Sequence, residues 1–112
     1  MRDRTKNFAL RIIKMYCSLP KTIEAQVLGK QALRSGTSVA ANYREASRAR
    51  SDSELISKLG IVEQELDETA LWLELLVEAG IVRETKLSKL HQETDELLRM
   101  TVSAIKTTKT RR

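Results

Sequence analysis

From Leu55 to Leu76 the residues Leu55, Leu59, Val62, Leu66, Thr69, Leu73 and Leu76 recur in alternating steps of four and three. That spacing puts all seven on one stripe of an α-helix, a stripe about three heptads long. A helix of this kind cannot bury its seam alone, so the chain must supply other helices against it. The rest of the sequence offers them. Strand formers never alternate over a useful run, aromatic residues are only 4% of the chain, and there is one Pro and four Gly. At 112 residues the chain is large enough for one hydrophobic core and one domain.

Helix boundaries follow from local signals. The first helix is expected from about Arg4 to Ser18, with Phe8, Ile12, Met15 and Leu19 on one face and Pro20 as its stop. Leu10, Ile13 and Cys17 lie on another side, so this helix calls for cover on two faces. The second is expected from Thr22 to about Ala49, running through Gly36 at a cost of about 1 kcal/mol. Ser51-Asp52-Ser53-Glu54 then reads as a capping box that opens the third helix. Gly80 is a left-handed helix stop with Ile81 as its hydrophobic contact. The fourth helix, Glu84 to Lys106, carries the stripe Leu87, Leu90, His91, Thr94, Leu97, Leu98, Thr101, Ala104 and Ile105. Four helices with short connections predict an all-α, up-and-down four-helix bundle over residues 1–106, followed by a basic, mobile tail at 107–112.

Catalytic equipment is scarce. One His and one Cys give no metal-ligand cluster, and there is no phosphate-cradling glycine loop or nucleophile elbow. His91 reads as a packed or boundary residue and Cys17 as a small buried hydrophobe. Glu63, Asp67, Glu74 and Glu78 read as a solvated face. The expectation is a protein that is not an enzyme and uses no cofactor and no metal. Without a signal peptide or an apolar run of membrane-spanning length, a cytoplasmic, non-membrane location is expected.

Charge is unevenly placed. The net +5 divides into +8 over residues 1–50 (11 basic, 3 acidic), −7 over 51–80 (1 basic, 8 acidic) and +4 over 81–112 (8 basic, 4 acidic). Unlike helices can complement one another inside a bundle or an oligomer, and a basic surface can meet nucleic acid. The seam helix also has a second face, with Ile61, Leu71, Trp72 and Leu75 among Gln64 and Glu68, which reads as an oligomer interface.

The second helix has three arcs. Leu28, Ala32, Gly36, Val39, Tyr43 and Ala46 form an apolar arc whose small members allow close packing. Arg34, Ser38, Asn42 and Glu45 form a polar stripe suited to bonds with another helix or another subunit. Lys30, Arg34, Arg44 and Arg48 form a basic arc, with Arg50 and the basic tail near it in sequence, and this arc is the candidate for phosphate contact. The competing reading is that these cations only solubilise the helix.

Gln31, Leu33-Arg34, Ser38-Val39, Asn42, Glu45-Ala46, the capped Ser51-Asp52-Ser53-Glu54, Glu68 and Glu78-Ala79-Gly80-Ile81 together resemble the four helix bundle protein family, also called 23S rRNA intervening-sequence proteins or S23-type ribosomal proteins. Many members carry the form S-[IV]-P-x-N-x-x-E-G. Here Ala40 replaces the Pro and Ala46 the Gly, so a straighter second helix is expected. The resemblance implies a bacterial homopentameric ring, with Arg34, Ser38, Asn42, Glu45 and Glu68 as its polar assembly stripe. More distantly the chain is similar to the accessory protein of diversity-generating retroelements, which implies RNA or DNA, or a partner protein such as a reverse transcriptase, as ligand. The family supplies no catalytic residue. A nucleic-acid-binding ring and a protein-interaction adaptor with no nucleic acid role both remain open at this point.

Overall fold

The computed structural model describes residues 1–111. It contains four α-helices: α1 Arg2–Cys17, α2 Ile23–Ala46, α3 Asp52–Glu78 and α4 Glu84–Thr110. Sequence neighbours are neighbours in space, α1 and α4 close the ring of helices along its thinnest seam, and the rod measures 48 × 20 × 19 Å. This is the up-and-down four-helix bundle expected from the seam and stripes.

The core contains Phe8, Ile12, Met15 and Leu19 of the first segment, Ala25, Ala32 and Val39 of α2, Val62, Leu66, Leu73 and Leu76 of α3, and Leu87, Leu90 and Leu97 of α4. Of the seven seam residues, only Leu55, in the first turn of α3 at the end of the rod, is half-exposed. The small residues of α2 let α1 close in. A Cβ on Gly36 would stand 2.8 Å from Cγ1 of Ile12, and one on Gly29 would overlap Leu19 and Tyr16. Threonines enter the core without orphaned hydroxyls, because Thr94, Thr101 and Thr108 each donate to the carbonyl four residues earlier, at 2.7–2.8 Å.

Local signals set most of the ends. Thr22 accepts from the Ala25 amide at 3.3 Å, and Ser51 Oγ accepts from the Glu54 amide at 3.1 Å, the forward half of the capping box. At φ 75°, Gly80 donates to the Val77 carbonyl while Ile81 donates to Leu76, both at 3.0 Å. That pair of bonds is the Schellman closure of α3.

Three boundaries and one burial differ from expectation. The first helix starts at Arg2, two residues early. The second stops at Ala46, because Arg48 and Ala49 already donate to carbonyls three residues back and Ser51 must be extended to act as a cap. The fourth continues beyond Lys106 to Thr110, where Thr108 keeps the buried stripe going and Arg111 reaches Asp52 at 2.9 Å. Cys17 is exposed rather than buried, and Leu10 and Ile13 beside it are 55% and 39% exposed, since among the described residues no helix covers that side of α1.

Candidate nucleic-acid interface

The polar stripe of α2 lies along α3. Ser35 and Thr69 share a hydrogen bond of 2.7 Å in the buried seam between them, which sets the antiparallel register. One residue before Ser35, Arg34 donates from Nη1 to Glu65 at 3.2 Å and from Nη2 to Glu68 at 2.8 Å. Glu65, with its side chain only 11% exposed, has its charge met by this guanidinium. Farther along, Glu45 accepts from Lys58 at 2.8 Å, which raises the Lys58 ammonium above its ordinary pKa. Asn42 turns inward on its own helix and donates to the Ser38 carbonyl at 2.9 Å. The structure thus brings Arg34, Glu45 and Glu68 into contacts between α2 and α3 within one chain, whereas Ser38 and Asn42 bond locally.

Arg34 therefore stands apart from the rest of its basic arc. Lys30, Arg44, Arg48 and Arg50 are exposed, and none has a carboxylate partner among the described residues. Arg50 and the end of α4 lie at the same end of the rod. The Arg111–Asp52 ion pair fixes the last turn of α4 beside the first turn of α3, at the end of the rod where the turn carrying Arg48 and Arg50 also lies. That end of the molecule gathers Arg44, Arg48, Arg50, Lys106 and Lys109, all exposed. Such a patch suits phosphates, which position a nucleic acid without reading its bases.

On the outer surface of α3, Ile61 and Leu71 are 38% and 46% exposed, while Leu75 and Trp72 are half-buried. Trp72 packs against the core, and its indole Nε1 is buried without an acceptor. His91 sits at the edge of its stripe, 2.8 Å from Glu74. Among the described residues no group of three or more His, Cys, Asp or Glu is placed to hold a metal ion, and no helix is long and apolar enough to cross a membrane.

Glu65 was not among the candidates, although it adjoins Leu66 and lies one turn before Thr69, on the α2 side of the seam. A carboxylate bordering an apolar stripe is the available signal that a cation must approach from the neighbouring helix.

A family model for the 23S rRNA-intervening sequence protein matches residues 1–103. A crystal structure of a protein of unknown function from the S23 ribosomal protein family of Bacteroides thetaiotaomicron VPI-5482 superposes with a TM-score of 0.87. It is 37% identical, over 94% of this chain and 97% of that one. A search of curated proteins finds no match. The sequence match and the shared bundle agree, and the chain belongs to the 23S rRNA-intervening sequence protein family.

Proposed function

We propose that the protein is a non-enzymatic cytoplasmic helical module that assembles with itself into a homopentameric ring and binds RNA or DNA through its exposed basic surface. One observation carries the reading: the bundle leaves two unlike apolar faces in water. The first is on α1, with Leu10 and Ile13 flanked by Lys6 and Lys14. The second is on the outside of α2 and α3, with Ile23 81%, Val27 55% and Leu71 46% exposed, flanked by Asp67 and Glu78 on α3 and by Lys30 on α2. Two different apolar faces suit head-to-tail contact, which closes as a ring when the rotation between neighbours divides the circle evenly. The free cations Lys30, Arg44, Arg48 and Arg50 support the binding half.

Light scattering after size exclusion tests the assembly. Five chain masses are expected at micromolar concentration, with collapse to smaller species in Leu10→Glu or Leu71→Glu; a monomeric wild type rejects it. Arg44→Glu with Arg48→Glu should weaken nucleic acid binding and flatten its salt dependence. The adaptor reading draws on a different feature, a shallow hollow of about 320 Å³ between α3 and α4 where Glu74, Glu78 and Glu84 surround Leu73, Val77 and Leu87. Capture of a basic partner protein that survives nuclease, with no RNA or DNA shift at low salt, would favour it.

A further inference from the structure

The thin seam between α1 and α4 is closed at one end only. Near the start of α1, Arg4 grips Glu93 with two bonds of 2.9 and 2.7 Å and Glu96 with one of 3.0 Å, and these carboxylates hold its guanidinium charged. Toward the other end the helices part into a groove of about 850 Å³. Arg11 and Lys14 stand on its α1 wall; Arg83, Lys86 and Lys89 stand on the wall formed by the start of α4. All five are exposed, the groove lining includes no carboxylate, and none of the five has an ion-pair partner among the described residues. The acids that α4 does turn toward α1, Glu93 and Glu96, are both held by Arg4. Five unopposed positive charges around one concavity repel each other, and a polyanion laid between them removes that repulsion.

We infer that this groove is a binding site for the phosphodiester backbone of nucleic acid, distinct from the arc on α2; it rests on the nucleic-acid reading above and adds a second contact surface to it. Its floor is largely covered already: Met15, Leu19, Leu87 and Leu90 are at most 9% exposed, and the apolar side chains left open, Pro20 and the half-buried Ile81 and Val82, belong to the connecting segments. Lysine, three of the five cations here, is depleted from protein interfaces, and both lysine and arginine contact phosphates. Each groove wall is about eight residues long, or about 12 Å of helix. The N-terminus of α4 opens at the groove without a side-chain cap, adding its positive dipole end. No aromatic residue lines the groove, so binding there is indifferent to base sequence.

The test is fluorescence anisotropy with labelled 12-nucleotide oligo(U) and oligo(A), titrated at several salt concentrations against the wild-type protein, Lys14→Glu/Lys86→Glu, Lys14→Gln/Lys86→Gln and Arg44→Glu/Arg48→Glu. The groove reversal should weaken both oligomers alike by about tenfold or more at low salt, the neutral pair should do so by less, and the log–log salt slope should fall by about 1.5. Circular dichroism and light scattering on each variant report fold and assembly. Wild-type affinity and slope in a folded groove reversal overturn the inference and leave the α2 arc standing if Arg44→Glu/Arg48→Glu loses binding. A wild-type protein that binds neither oligomer overturns both. A groove reversal that changes only the assembled mass overturns it in favour of a second copy of the chain as the occupant.

Discussion

Gly36→Ala and Gly60→Ala are the same chemical change in the interior of two helices, and the structure gives them opposite signs. Replacing a mid-helix glycine by alanine stabilises a helix by about 0.5–1 kcal/mol when the new methyl has room. At Gly60 nothing lies within 4 Å of the added Cβ, so the whole gain should appear. At Gly36 the methyl would stand 2.8 Å from Cγ1, 3.0 Å from Cγ2 and 3.2 Å from Cβ of Ile12. Ile12 is fully buried and β-branched, so its crowding atoms cannot swing aside as the end of a long side chain can. Relief requires α1 to back away from α2, an overpacking cost of about 2 kcal/mol against a gain of about 1. Gly36→Ala should therefore lose about 1 kcal/mol and Gly60→Ala gain nearly as much, a gap of about 8 °C in thermal midpoint. Urea unfolding at one fixed protein concentration measures both, since assembly would otherwise add to apparent stability. Ile12→Ala, which removes the two crowding Cγ atoms, should cost up to about 2 kcal/mol less in the Gly36→Ala background than in the wild type. If Gly36→Ala stabilises as much as Gly60→Ala, close packing of α1 on small residues of α2 is not what the glycine serves.

Removing Arg34 leaves the nearly buried Glu65 without its cation. Arg34→Ala should lower the urea midpoint by an amount equivalent to about 1–3 kcal/mol, partly restored by Glu65→Gln, while Lys30→Ala on the same helix stays within about 0.5; equal effects of the two alanines would refute the clamp. The Glu45–Lys58 pair should titrate on the alkaline side. The raised folded-state value of Lys58 means that its contribution is complete below the ordinary lysine pKa and is lost as pH climbs through the folded value. The stability difference between wild type and Glu45→Gln should persist at pH 7 and fade as pH climbs above the ordinary lysine range, and the Lys58 amine should titrate at lower pH in the variant by NMR. A difference independent of pH would assign the effect to packing.

Features written within one stretch of chain were readable from the sequence: the Ser51 cap and the Gly80 stop need only a few consecutive positions, and the heptad seam lies within a single helix. The ends of α2 and α4 were not, because the first is cut short by the cap that follows it and the second is prolonged by contact with α3. Arg34 shows the limit of a single-helix projection. Its Cα lies on the outer arc with Lys30, yet its long side chain reaches back to Glu65 and Glu68 on the next helix. The groove cations were harder still, since Arg11 and Lys86 belong together only after α1 and α4 are set side by side. Residue type alone reads Cys17 as core, while among the described residues no helix packs on its side of α1.

The hydroxyls of the interior divide the rod mechanically. Between α2 and α3 the Ser35–Thr69 bond crosses from one helix to the other and works as a key in a slot: sliding either helix by one turn breaks it. On α4 the buried Thr94, Thr101 and Thr108 spend their protons on their own helix, so among these hydroxyls α4 is a smooth shaft. Its polar pins are at the surface, where Arg4 holds Glu93 and Glu96, His91 meets Glu74, and Arg111 meets Asp52. Surface pairs are screened by salt and a buried hydroxyl pair is not. Raising ionic strength should thus loosen the polar hold on α4, whose register then rests on Leu87, Leu90 and Leu97, while the α2–α3 hairpin keeps its hydroxyl key.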